Sequence, residues 1–184
     1  MVSGGEHAVD GPRPLILTLE LDAASFAFFD GLRRAHFPPE RNVIPAHLTL
    51  FHALPGEQEA AIRATLGSLC AITPVLALRF PSLRFLGRGV AVEVESPELL
   101  ALRRQLASAW SGWLGAQDRQ GYRPHITIQN KVAPEQAREL YATLTAGWEP
   151  FGAAGEGLLL WRYLGGPWQR VDAQRFLGGR AAAP

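Results

Sequence analysis

The sequence predicts an α+β fold made by duplicating one unit: a bilobal chain with two antiparallel-rich β-sheets flanking a central cleft and helices outside. Three observations predict it. A pattern of His, apolar, Thr, apolar occurs twice, at His47–Leu50 (HLTL) and His125–Ile128 (HITI), each closely behind a proline, Pro45 or Pro124. Around both copies the order of elements repeats: an alternating strand, a helix, the motif strand, a second helix, then further strands. The copies lie 78 residues apart (125 minus 47), too far for a short solenoid repeat but suited to two lobes of about 80 residues each.

At 184 residues the chain can bury a sizeable core as one domain, and 47% hydrophobic with 19% charged residues is an ordinary globular composition. The formal net charge of +1 excludes a broadly basic nucleic-acid coat and leaves a local basic cleft open. Lys131 is the only lysine, so nearly all positive charge is arginine; in an Arg-, Ala- and Gly-rich chain a single arginine needs positional support before it counts as a site. Cys70 stands alone, which removes a disulfide framework and a cysteine metal cluster. The opening residues lack the apolar core of a signal peptide, and no run reaches the roughly 20 apolar residues of a membrane span. The expected organisation is a flexible tail over residues 1–13 and a single domain over 14–184, with lobes near 14–88 and 89–176 that are free to exchange terminal strands. A cytoplasmic location, no membrane and a monomer are the matching expectations.

The elements follow in order. Leu15 to Asp22 alternates as a strand. Phe26, Phe29 and Leu32 fall at helical spacing through about His36, and Pro38–Pro39 forbids continuation. The first motif strand runs from His47 to about Ala53. Glu57 to about Ile72 is a helix with Ile62, Leu66, Leu69 and Cys70 on one stripe. VLALRF, SLRFLG and GVAVEVES read as extended segments. Ser96–Pro97–Glu98 starts a helix to about Gln117, with a capping serine, proline at the first helical position and an acid in the first turn. Its Trp110 and Trp113 fit the apolar rhythm and read as core. The second motif strand spans His125 to about Val132, Pro134 opens a helix to about Trp148, and strands near Leu158–Leu164 and Trp168–Phe176 make a hairpin across Gly165–Gly166–Pro167.

On a strand, side chains alternate between faces, so His47 shares a face with Thr49 and His125 with Thr127. Chance is a poor account of the pair, since two such matches among five histidines have a probability of roughly 0.003. Imidazole titrates near neutral pH and can take a proton in one step and give it in the next. Two imidazoles across a cleft suit in-line displacement at a phosphodiester, with the hydroxyls of Thr49 and Thr127 hydrogen-bonding the non-bridging oxygens. Extending the same parity adds Phe51 to the first face and Arg123, Gln129 and Lys131 to the second. Arg123 is the candidate for an added phosphate contact; Phe51, Gln129, Lys131 and Tyr163 are candidates for contacts to a base or the rest of the substrate. His52 falls on the opposite face and is left out, and Trp161 is left unplaced. The same parity weakens a metal site formed by His47, His52, His125 and Glu93.

These residues carry a resemblance. The segments IPAHLTLFHALPG, LRFLGRGVAVEV and YRPHITIQNKV, in that order between about Leu15 and Phe176, resemble the 2H phosphoesterase superfamily and, within it, the bacterial 2′-5′ RNA ligase-like, cyclic phosphodiesterase branch. The resemblance implies a bilobal, pseudo-twofold fold without cofactor or metal. It implies hydrolysis or transesterification of 2′,3′-cyclic phosphates or 2′-5′ phosphodiesters at an RNA terminus or on a small nucleotide. It also implies that His47 and His125 are the catalytic pair and that Thr49 and Thr127 hold the phosphate. Gln129–Asn130–Lys131 departs from the basic residue that many relatives carry soon after the second motif, which leaves the substrate open. The alternative is a module of the same fold that binds an RNA end or nucleotide without turning it over. Symmetry between the motifs leaves open which histidine is acid and which is base, with a lean to His125 as the base.

Overall fold

A computed structural model describes residues 12–179. Most of the expected N-terminal tail, residues 1–11 with His7 among them, lies outside the described residues. Strand β1 (Leu15–Leu21) turns directly into helix α1 (Ala23–His36), because Asp22 caps it: the Ser25 backbone N–H donates to Asp22 Oδ1 at 2.9 Å. Strand β2 (Leu48–Leu54) carries the first motif and is followed by α2 (Glu59–Ile72). Three short strands follow, β3 (Leu76–Phe80), β4 (Leu83–Phe85) and β5 (Val90–Glu93). Helix α3 (Pro97–Ala109) starts as its sequence predicts, with Leu99 N–H donating to Ser96 Oγ at 3.2 Å. A short helix α4 (Ala116–Arg119) precedes the second motif strand β6 (His125–Gln129). Helix α5 (Pro134–Ala146) and the hairpin of β7 (Phe151–Tyr163) and β8 (Trp168–Arg175) complete the fold.

Every strand pairing is antiparallel, in the order β3-β7-β1-β2-β6-β5-β4, with β8 paired to β7. The antiparallel halves form one continuous eight-stranded sheet, joined at its centre by β2 and β6 through the pair Leu48↔Ile126. The C-terminal strand β7 inserts between β1 and β3, so the chain's end completes the sheet of its beginning.

Two boundaries differ from the sequence expectation. Helix α3 ends at Ala109, eight residues before the predicted Gln117 (117 minus 109): Trp110 N–H bonds back to Leu106 and Ser108, and Ser111–Gly112 have little helix propensity. Strand β7 starts at Phe151, well before Leu158. Its first half, FGAAGEG, has no apolar alternation to mark it. It is extended because β3 pairs with it from Leu76↔Gly155 to Phe80↔Phe151.

The core follows the predicted apolar stripes. Ile62, Leu66, Leu69 and Cys70 of α2 are buried, as are Leu99, Leu102, Leu106 and Trp110, while Trp113 packs against the core's edge. Phe29, Phe80 and Phe151 form an aromatic cluster with ring centroids 4.6–5.9 Å apart.

Two buried arginines tie helices to the motif strands. Arg33 of α1 donates from Nη1 to the Thr127 carbonyl at 2.9 Å, and Arg103 of α3 donates from Nε to the Leu50 carbonyl at 2.8 Å. Each guanidinium also stacks on a ring, Arg33 on Phe37 and Arg103 on Phe51, at 4.0 and 3.8 Å. Burial draws the Arg33 pKa down to about 10, which still leaves a full cation at neutral pH. Each helix therefore fixes the motif strand of the opposite half.

Candidate active site

The central strand pair builds the site. Counting out from Leu48↔Ile126 sets His47 across from Thr127 and Thr49 across from His125. Opposite residues of an antiparallel pair share a face with Cβ atoms about 5 Å apart, while diagonal neighbours lie roughly 7–8 Å apart. The imidazoles thus occupy opposite corners of a square and the hydroxyls the other two. All four side chains line one small cavity of about 150 Å³, together with Ile16, His52 and Trp168.

The two imidazoles are held identically. His47 Nδ1 lies 2.8 Å from the Pro45 carbonyl and His125 Nδ1 2.9 Å from the Arg123 carbonyl. A carbonyl only accepts, so each Nδ1 carries the proton and each Nε2 is left to act on a ligand. Burial draws the His47 pKa down to about 4, aided by the positive charge of Arg33 and opposed by the Pro45 hydrogen bond. His125 is also lowered, by burial first and by the charge of Arg84, against the Arg123 carbonyl and Glu93. Both rings are therefore unprotonated at pH 7 in the free protein, each with its Nε2 lone pair free to accept a proton.

Stability should follow from that shift. Between pH 6.5 and about 4 the unfolded chain protonates this imidazole while the native chain does not, so His47 makes stability fall as pH drops through that window. Denaturant melts from pH 7 to 4 are expected to decline less steeply for His47→Asn than for the wild type. Identical slopes would remove the burial argument.

Beyond the threonines the predicted parity fails, and the reason is the same in both motifs. Thr18 pairs with Thr49 but Leu17 with Phe51, so Leu50 is an extra residue; Ala91 pairs with Thr127 but Val90 with Gln129, so Ile128 is extra. Each motif strand has a β-bulge just after its threonine, and a bulge reverses the faces of the residues beyond it. Phe51 is consequently buried against Trp110 and Arg103, and Gln129 is buried as well; neither reaches the cavity. The second bulge depends on Gly89, where a Cβ would overlap the Gln129 carbonyl. Lys131 is an exposed residue in a left-handed turn (φ 61°) past the strand, and Tyr163 lies at the end of β7 outside the cavity. Arg123 sits at the rim of an adjoining groove, its Nη2 paired with Glu93 Oε1 at 3.1 Å.

The same bulge brings His52 in. Its backbone N–H and that of Ala53 donate to Asp118, and its Nδ1 lies 3.1 Å from Asp118 Oδ1, which leaves Nε2 free. Because the excluded third histidine faces the cavity after all, the parity objection to a three-histidine cluster does not hold. Among the described residues, however, no group of three or more His, Cys, Asp or Glu side chains is arranged to hold a metal ion.

Two tryptophans join the site without a sequence signal. The Trp168 ring lies 4.8 Å from that of His47 and 6.2 Å from Trp161, whose Nε1 donates to Thr18 Oγ1 at 2.9 Å. Both line a groove of about 460 Å³ that opens from this cavity along β1 and the β7–β8 hairpin, with Phe26, Val43 and Leu159. No motif marks them, since only the return of β7 to β1 brings them near His47.

Comparison with known proteins agrees with this fold. Residues 21–167 match the family model described as the 2′-5′ RNA ligase superfamily. Among solved structures, TT0787 of Thermus thermophilus superposes with a TM-score of 0.65 at 19% identity, covering 90% of this chain and 98% of that one. Escherichia coli LigT complexed with 3′-AMP gives 0.61 at 21% identity, with 90% and 98% covered. A structure described as a phosphoesterase gives 0.60 at 22% identity, with 90% and 99% covered. No curated protein matches the sequence.

Proposed function

Since the chain belongs to the 2′-5′ RNA ligase superfamily, whose fold it shares with phosphoesterases, we propose that it is a metal-independent 2H-type phosphoesterase. Its substrates are 2′,3′-cyclic phosphates or 2′-5′ phosphodiesters at RNA ends or on small nucleotides. The observation that carries this reading is the pair of imidazoles with matched Nδ1 anchors, set diagonally about two hydroxyls in one cavity.

In hydrolysis one Nε2 takes a proton from water as its oxygen bonds to phosphorus. The bond to the leaving ribose oxygen breaks on the far side, and the other imidazole, protonated in the bound complex, supplies that oxygen's proton. An anionic phosphate in the cavity favours this protonated form, which the free protein disfavours. Thr49 and Thr127 donate to the non-bridging oxygens as charge builds there. Attack by a ribose hydroxyl in place of water gives transesterification with the same groups.

The aromatic groove supplies a place for the nucleoside. LigT has been crystallised with 3′-AMP, ATP and NADP+, and Trp168 beside His47 offers a nucleobase a stacking face next to the reacting phosphate. Stacking on an aromatic side chain contributes about 1–3 kcal/mol per base. Trp168→Ala is therefore expected to raise KM for a nucleoside 2′,3′-cyclic phosphate by roughly 5- to 100-fold, with a smaller change in kcat. The test of the function itself is turnover of the four nucleoside 2′,3′-cyclic monophosphates in the presence of chelator, read as 2′- or 3′-phosphate. Tight binding without product would make the chain a nucleotide-binding module instead.

A further inference from the structure

The catalytic cavity opens in two directions of opposite character. Towards the β7–β8 hairpin it meets the aromatic groove. On the other side it continues, through the shared residues Thr49, His52 and His125, into a groove of about 220 Å³ whose charged lining includes Arg84, Arg123 and Asp118. Glu93 Oε1 lies between the two guanidiniums, 3.4 Å from Arg84 Nε and 3.1 Å from Arg123 Nη2, and holds both at the groove. One carboxylate oxygen cannot satisfy two guanidinium forks. Arg84 Nε is buried and makes no hydrogen bond of good geometry, and Arg84's positive charge reaches the site, where it disfavours protonation of His125.

His52 points the same way. Its equivalent in the second motif, 78 residues on, is Asn130, whose Oδ1 accepts from the Lys131 N–H and which is not part of the cavity. The pseudo-twofold symmetry is therefore broken at the position that leads into the groove. Asp118, its side chain 3% exposed, fixes the His52 ring by Nδ1. A buried carboxylate that orients an imidazole this way leaves Nε2 to meet whatever enters from the cavity.

We propose that His52, Arg84 and Arg123 form a subsite for a second phosphate of the substrate, so that preferred ligands carry a phosphate beyond the one that reacts. This rests on the phosphoesterase reading and narrows its substrate class to nucleotides or oligonucleotide ends with an additional phosphate. That group is either a terminal phosphate on the same nucleoside or the internucleotide phosphate of a neighbouring residue. Two guanidiniums tethered by one carboxylate retain free N–H donors for phosphate oxygens, and a bound phosphate anion favours the imidazolium form of His52, whose Nε2–H donates a further hydrogen bond on the cavity side.

The experiment is isothermal titration of the full chain with adenosine 3′-monophosphate, adenosine 3′,5′-bisphosphate and the 3′-phosphorylated dinucleotide ApAp at fixed salt. One of the two ligands with an added phosphate is expected to bind at least tenfold more tightly than the monophosphate, and which one does so identifies the source. Arg84→Gln and His52→Gln are each expected to reduce that advantage to threefold or less; Arg123→Gln, at an exposed position, serves in place of any variant that fails to fold. Equal binding of all three ligands, or an advantage that survives the substitutions, overturns the proposal. Binding is read without turnover, so a chain that shows the advantage but cleaves no cyclic phosphate refutes the enzymatic reading and leaves the subsite standing.

Discussion

Alanine at either His47 or His125 is expected to lower turnover of a nucleoside 2′,3′-cyclic phosphate by at least ~100-fold, the low end of an acid–base contribution. The loss falls on kcat more than on KM, because the imidazoles differ most in what they do as protons move. Both variants should remain folded. Each ring contributes one hydrogen bond to a carbonyl two residues upstream, at the edge of the cavity, and neither fills the core. The double variant should be little worse than the worse single one, since removing the proton acceptor already disables the unit that the proton donor completes. Stopped-assay kinetics with circular dichroism on the same samples decides the matter: full activity in either folded variant ends the two-histidine mechanism.

Replacing Asp118 by alanine should cost about 3 kcal/mol of stability, as the part-buried bonds from the His52 and Ala53 backbone N–H groups to a charged acceptor are lost at roughly 1.5–3 kcal/mol each. Burial by itself would raise the Asp118 pKa, yet the donors from His52 and Ala53 outweigh it and keep the group a carboxylate. The change also removes the negative charge facing Arg103, whose Nη2 donates to the Asp118 carbonyl at 2.6 Å. A fall in Tm of roughly 6–12 °C is the result expected for a domain of this size. Asp118→Asn keeps one acceptor oxygen and should fall between. A wild-type Tm for Asp118→Ala would show that the segment after the bulge does not need this cap.

How much is legible depends on the distance over which each feature is determined. The helix start at Ser96–Pro97, the stop at Pro38–Pro39 and the buried stripe of α2 are set by neighbours a few residues away, and the sequence predicts them correctly. The conjunction of His47, Thr49, His125 and Thr127 is equally legible, because strand parity holds across three residues and the motif occurs twice. Parity fails at the fifth and sixth. Nothing in LTLFHA or ITIQNK marks an extra residue, because a bulge is a property of two strands and the partner of β2 lies in β1, that of β6 in β5. Parity alone therefore assigns Phe51 and Gln129 to the cavity and excludes His52 from it, the reverse of their positions in the fold.

Local propensity and short-range periodicity account for the α+β class, the repeated order of elements, the apolar stripes and the grouping of His47, Thr49, His125 and Thr127. Long-range pairing set the rest. It joined the two halves through Leu48↔Ile126, brought β7 back to set Trp161 and Trp168 beside His47, and bulged both motif strands so that His52 meets the cavity under the hold of Asp118. Register and bulges are fixed by pairing between residues 29 to 147 positions apart, where hydrogen bonds and packing are satisfied together. No window of the sequence contains both partners.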